Sequence, residues 1–169
     1  MNKFRRISIV GIRLAIICCI TTTLIFAAIP KGVQDRFVLG DPVWKELIVR
    51  ENLRSNYEDV WKNLVEIIID NGFEVGFMEK DSGYIRSNEN ARIILLKNYW
   101  RYDIKVVAKI ILNEQAQKER KSVVEKIRVQ VIGHVYRMKK GTLRESYSGY
   151  DRIVMQDLLN DLQLFFGDR

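Results

Sequence analysis

The sequence has few of the residues that carry covalent cross-links and enzyme chemistry. It contains two cysteines, two prolines and one histidine in 169 residues. Both cysteines, Cys18 and Cys19, precede residue 30, so the chain beyond that point has no disulfide framework and no thiol nucleophile. Adjacent cysteines on one helix point about 100° apart, so these two do not form a metal site together.

Catalytic and metal-binding residue patterns are also missing. The single histidine, His134, has no orienting carboxylate or nucleophile close to it in sequence, so we expect an ordinary surface histidine. The acidic residues at 79–81 and near the C-terminus are too sparse for a metal site, and no glycine-rich phosphate loop occurs. We therefore expect no enzymatic activity, no catalytic residue, no metal and no cofactor.

The charge is unevenly distributed. The net charge is +7, from 28 basic and 21 acidic residues, and no acid precedes Asp35. Four of the basic residues lie before the end of the apolar run at residue 29: Lys3, Arg5, Arg6 and Arg13. Subtracting these four from the 28 leaves 24 basic and 21 acidic residues, a net charge of +3. That charge does not predict a nucleic-acid partner.

The long apolar run near the N-terminus predicts a membrane segment. Residues 7–29 form this run, which Arg13 interrupts, and a basic flank precedes it. As a helix, 23 residues reach about 35 Å, which spans a bilayer with a small tilt if Arg13 extends its guanidinium to the headgroups. The basic flank favours a cytoplasmic N-terminus and an exported remainder.

Two other fates of this segment stay open. A cleaved signal peptide prefers a small residue at the third-last position before the cut, where Phe26 or Ile25 stands here. A lipidation site needs a small residue before the cysteine, but Cys18 follows Ile17. Retention as an anchor therefore fits best, with cleavage and lipidation as the alternatives.

The remainder predicts a single α+β domain. Apolar residues at helical spacing, with Ser55 as N-cap and Trp61 in the core, predict a first helix that ends near Gly72. A second amphipathic helix is predicted near the C-terminus, with Ser148 and Asp151 at its start. Between the helices, the residue period changes to two, which predicts an antiparallel sheet with one buried face. Three regions are predicted: a membrane segment at 1–30, a linker at 31–48 and the domain at 49–169. Residues 43–49, at the end of the linker, fit a short strand.

Residues 57–87 resemble the repeated unit of the BamC (NlpB-type) envelope lipoproteins. The shared features are Val60-Trp61 near the helix start, Gly72-Phe73 at its end and Gly83-Tyr84-Ile85 at the hairpin. The resemblance covers mainly residues 50–110. It implies a helix-grip-like fold, in which two amphipathic helices pack on an antiparallel sheet, and a non-catalytic module of the cell envelope.

Basic residues on two long predicted strands form a candidate binding patch. Alternation places these cations on the solvent face of the sheet: Arg101, Lys105, Lys109, Lys126 and Arg128. The sequence thus predicts a membrane-tethered extracytoplasmic binding or scaffold module. Its partners would be the membrane through residues 7–29 and another envelope protein or anionic lipid, with no nucleic acid. The alternative is a carrier of an apolar ligand or lipid, held between the sheet and the C-terminal helix.

Overall fold

The computed structural model describes residues 34–89, 92–96, 100–119, 121–139 and 142–167. Residues Phe37–Arg169 form one compact unit. Its eight strands are β1 (Phe37–Leu39), β2 (Lys45–Ile48), β3 (Val75–Glu79), β4 (Tyr84–Ser87), β5 (Arg92–Leu96), β6 (Trp100–Leu112), β7 (Val124–Lys139) and β8 (Thr142–Asp151). Its helices in the described ranges are α1 (Glu51–Arg54), α2 (Tyr57–Asp70), α3 (Glu114–Lys118) and α4 (Arg152–Phe166). The predicted α+β class with an antiparallel sheet is confirmed.

Two long central strands organise the sheet. The strand order is β1-β8-β7-β6-β4-β3, and every pairing is antiparallel. Strands β6 and β7 pair with each other, and each pairs with two shorter strands along its opposite edge. On that edge β7 pairs first with β2 and then with β8, while β6 pairs first with β5 and then with β4. Strands β1 and β2 fall within residues 31–48, where the sequence predicted a linker with a short strand.

The alternating apolar residues of β6 and β7 face one side of the sheet, as the period of two predicted. These side chains are buried: Tyr102, Ile104, Val106, Ala108, Ile110, Ile127, Val129, Val131 and Val135. We call this side the inner face and the opposite side the outer face. Because burial of apolar area is the main favourable term in folding, this row fixes which face of each strand points inward.

Helix α2 covers part of the inner face, with a start and a packing side that differ from the prediction. Its N-cap is Asn56 rather than Ser55, since the Asn56 side chain accepts from the Asp59 amide at 3.3 Å. Its inward residues are Val60, Leu64 and Ile68. Trp61 lies beside this row, half-buried and stacked on Tyr57 with ring centroids 6.5 Å apart, so its predicted place in the core was wrong.

Helix α4 covers the rest of the inner face. Asp151 is its N-cap and accepts from the amides of Ile153 and Val154 at 2.9 and 3.0 Å. Ser148 is not part of this cap, because strand β8 continues through it to Asp151. The inward residues are Val154, Met155, Leu158, Leu162 and Phe166, whereas Phe165 is 36% exposed.

The β3–β4 hairpin is tied to the central strand through its turn. Gly83 adopts φ +67°, and its carbonyl accepts from the Ile110 amide at 2.9 Å. A Cβ at this position would lie 2.9 Å from the Ile110 carbonyl oxygen, so glycine permits both the turn and the close approach. Residues 80–83 form the turn of this hairpin.

The predicted membrane segment at residues 7–29 lies outside the described residues. In the part of the chain that the structure does describe, no helix has both the length and the apolarity to cross a bilayer.

Candidate binding surface

All five predicted cations lie on the outer face, but they divide into two groups. Arg101 and Lys105 stand at one end of β6, opposite Tyr136 and Ile132 of β7. At the other end, Lys109 stands opposite Arg128, and Lys126 stands opposite Ile111. We call the first group with its neighbours the polar half and the second the basic half. The two halves differ in how their charges are neutralised.

In the polar half, each predicted cation contacts its own carboxylate. Arg101 Nε lies 2.8 Å from Asp103 Oδ1, and the Asp103 side chain is only 7% exposed. This hydrogen bond raises the pKa of the Arg101 guanidinium. Lys105 Nζ lies 3.2 Å from Glu89 Oε1, and the same contact lowers the pKa of Glu89. These two cations are therefore neutralised within the domain.

His134 joins this polar half to strand β8. It stands directly opposite Asp103 on β6 and Ser148 on β8, and its Nδ1 lies 3.3 Å from Ser148 Oγ. Its ring also stacks on Tyr136. The sequence alone predicted no partner for His134, because Asp103 and Ser148 lie on neighbouring strands whose register cannot be derived from the sequence. The structure supplies a hydroxyl and a carboxylate on the neighbouring strands, and Arg101 already holds that carboxylate.

Burial lowers the pKa of His134, and the nearby Lys105 ammonium adds to this effect. The carboxylates of Glu89 and Asp103 oppose it without cancelling it. His134 is thus held neutral in the fold at physiological pH, and its contact with Ser148 is a hydrogen bond between neutral groups.

We expect His134 to make stability fall as the pH drops below its unfolded pKa of about 6.5. A depressed folded pKa means that the unfolded chain binds the proton more readily, so acid favours unfolding. Denaturant midpoints measured at about pH 7.5 and about pH 5.5 give the loss of stability. His134→Gln should show a smaller loss, whereas Ser146→Ala, an exposed change on β8, should behave as wild type. An equal pH dependence in His134→Gln would contradict the assignment.

In the basic half, one carboxylate serves two cations. Glu46 of β2 contacts Lys126 Nζ at 2.9 Å through Oε2 and Arg128 Nε at 3.0 Å through Oε1. The hydrogen bond from Lys126 lowers the pKa of Glu46. The Arg128 contact is an ion pair without hydrogen-bond alignment, so the buried Nε–H lacks an acceptor. The guanidinium instead lies over the Trp44 ring, 5.3 Å from its centroid.

Two further cations of the basic half have no carboxylate within 4.0 Å in the described ranges. Lys109 is exposed and stands between Arg128 on β7 and Tyr84 on β4. Arg86 stands on β4 opposite Val107 and lies over the Phe77 ring, 5.8 Å from its centroid. Sequence reasoning missed Arg86 and Glu46, because their strands join the patch only through the register of the sheet. Like charges directly opposite each other, such as Lys109 and Arg128, destabilise a sheet.

A surface cavity adjoins the basic half at the β6–β7 hairpin. It has a volume of about 360 Å³, and Lys109, Tyr57, Asp81 and Glu114 lie in its wall. Burial and the nearby carboxylates of Asp81 and Glu58 raise the pKa of Tyr57. This cavity lies away from the predicted ligand space between the sheet and α4. Among the described residues, no group of three or more His, Cys, Asp or Glu side chains is placed to hold a metal ion.

No protein-family model, no curated protein and no solved structure matches the chain.

Proposed function

We propose that the protein is a non-catalytic, membrane-tethered module of the bacterial cell envelope that binds another envelope component with the outer face of its sheet. One observation carries this proposal. The outer face holds a basic half in which Glu46 alone contacts two cations, and Lys109 and Arg86 contact no carboxylate among the described residues. Cations kept together without counter-charges cost stability, which favours a role in binding an anionic partner.

The packing of the inner face favours a surface binder over an apolar-ligand carrier. Five bulky side chains of the interior are at most 1% exposed: Ile104, Val106, Val129, Val131 and Phe166. Helices α2 and α4 supply the other side of this core. This arrangement agrees with the helix-grip-like packing that the resemblance to BamC-type lipoproteins implies, and the tether rests on the apolar run at residues 7–29.

We expect the N-terminal segment to be retained as the tether. The intact mass of the protein purified from membranes should then account for all 169 residues, because the cut sites lack a small third-last residue. Protease added to spheroplasts should degrade the domain, since the basic flank favours a cytoplasmic N-terminus.

A soluble species that starts near Ile29 or Lys31 would contradict the tether and leave the fold untouched. Native mass spectrometry of the detergent-extracted protein provides the matching test of the carrier alternative. A binding module should release its detergent to give the bare protein mass, whereas a carrier should retain a lipid.

A further inference from the structure

We propose that the basic half of the outer face docks on an anionic lipid bilayer, so that the domain lies with this face against the membrane that tethers it. This inference rests on the proposed function and names the partner of that surface. The surface consists of Arg86, Lys109, Lys126, Arg128 and Glu46, together with the apolar side chains around them.

The charge of this surface is the first argument. Four cations stand on three neighbouring strands, and Glu46 is the only carboxylate of the described ranges that contacts any of them. Beyond contact distance, Glu79 stands opposite Tyr84 of β4, and Asp81 and Glu114 lie with Lys109 in the wall of the adjoining cavity. With four cations and one carboxylate, the surface itself carries a net charge of +3. Lipid phosphates complement this charge and lower the repulsion between Lys109 and Arg128.

The apolar residues at the two borders are the second argument. Phe77 on β3 shares the outer face with Arg86 and is 44% exposed, and Ile48 on β2 shares it with Lys126 and is 62% exposed. The five strands from β2 to β3 cover roughly 19 Å at a spacing of about 4.8 Å. Cations in the middle with exposed apolar side chains at both edges fit a headgroup layer, where apolar groups enter the interface beside the phosphates.

The spread of the cations favours a bilayer over a compact acidic ligand. The four cations occupy three successive outward positions along β6: Arg86 lies opposite Val107, Arg128 opposite Lys109, and Lys126 opposite Ile111. Two of them lie over aromatic rings, with Arg86 on Phe77 and Arg128 on Trp44. A single bound anion would leave the distant cations and the border residues unused. A tether also raises the effective concentration of lipid at this face, so weak contacts suffice.

Lysine footprinting on the reconstituted full chain tests this docking. The chain is placed in vesicles of phosphatidylcholine alone or of phosphatidylcholine with phosphatidylglycerol, and acetylation of each lysine is followed by mass spectrometry. Lys109 and Lys126 should react about threefold more slowly in the anionic vesicles, and salt near 1 M should abolish the difference. Lys62, on α2 across the sheet and 73% exposed, is the internal control and should react equally in both.

A pair of matched variants tests the charge itself. Lys109→Glu places a carboxylate opposite Arg128, and we expect the fold to be kept because opposite charges across strands attract. This variant should lose most of the protection of Lys126. Lys62→Glu makes the same charge change on the far side of the domain and should leave the protection of Lys126 unchanged.

Three results would overturn the proposal. If Lys109 and Lys126 react as fast as Lys62 in both vesicle types, no lipid covers this face. If they are protected to the same extent in both vesicle types, the protection does not depend on anionic lipid. Protection seen only in native membranes would assign the face to a protein partner. Flotation of the chain with phosphatidylcholine vesicles reports the tether separately, so a failed footprint with normal flotation leaves the proposed function standing.

Discussion

Replacing Leu158 with alanine is expected to lower the free energy of unfolding by about 2–5 kcal/mol. Leu158 is fully buried in the middle of α4, where the helix packs on the inner face of the sheet. Its removal exchanges close contacts for a cavity that the rigid sheet cannot collapse to fill. Urea denaturation followed by circular dichroism measures the change.

Leu164→Ala provides the matched control. It is the same substitution in the same helix, but Leu164 is 71% exposed. We expect it to change stability by no more than about 0.5 kcal/mol. Similar losses in the two variants would mean that the buried side of α4 has been assigned to the wrong residues.

Replacing Gly149 with alanine is expected to lower the free energy of unfolding by about 1–3 kcal/mol. An added Cβ would lie 2.0 Å from the Val38 carbonyl oxygen and 2.7 Å from Phe37 Cζ. The first of these is backbone, so β1 has to move away from β8 to make room. Thermal denaturation measures the loss, and the Gly40 amide, which donates to the Ser148 carbonyl at 3.3 Å, should exchange faster in the variant.

Ser146→Ala is the control for this strand. Ser146 also lies on β8 but is exposed on the outer face, opposite Tyr136, and its replacement should leave both readouts near wild type. A Gly149→Ala protein with unchanged stability and unchanged exchange at the Gly40 amide would show that the β1–β8 pairing does not constrain this position.

Most of the fold could be predicted because one face of the sheet is buried. Burial forces strict alternation on β6 and β7, and alternation is visible in a single sequence. The two main helices could be predicted because each buries one side, which places apolar residues at helical spacing in the sequence. The errors occurred where local signals compete: Asn56 took the cap expected of Ser55, and Trp61 flanks the row of Val60 and Leu64 that packs inward.

The site was less predictable, because its character depends on cross-strand register. The five predicted cations do share a face, which follows from alternation alone. The carboxylates that contact these cations cannot be predicted from alternation. Asp103 lies two residues from Arg101 in the sequence, whereas Glu89 and Glu46 are distant in the sequence from the lysines that they contact. The division into a polar half and a basic half becomes visible only once β2 is placed beside β7 and β4 beside β6.

The pairing of the first strand with the last has a consequence for biosynthesis. Phe37 pairs with Asp151, and the Arg50 amide donates to the Phe166 carbonyl at 2.8 Å, so both ends of the domain close on each other. At translation rates of about 5–20 residues per second, β1 waits roughly 6–23 seconds for its partner to be made. Until α4 is complete, the part of the inner face that α4 covers stays exposed in the nascent chain. The domain can therefore complete its fold only after α4 has been synthesised.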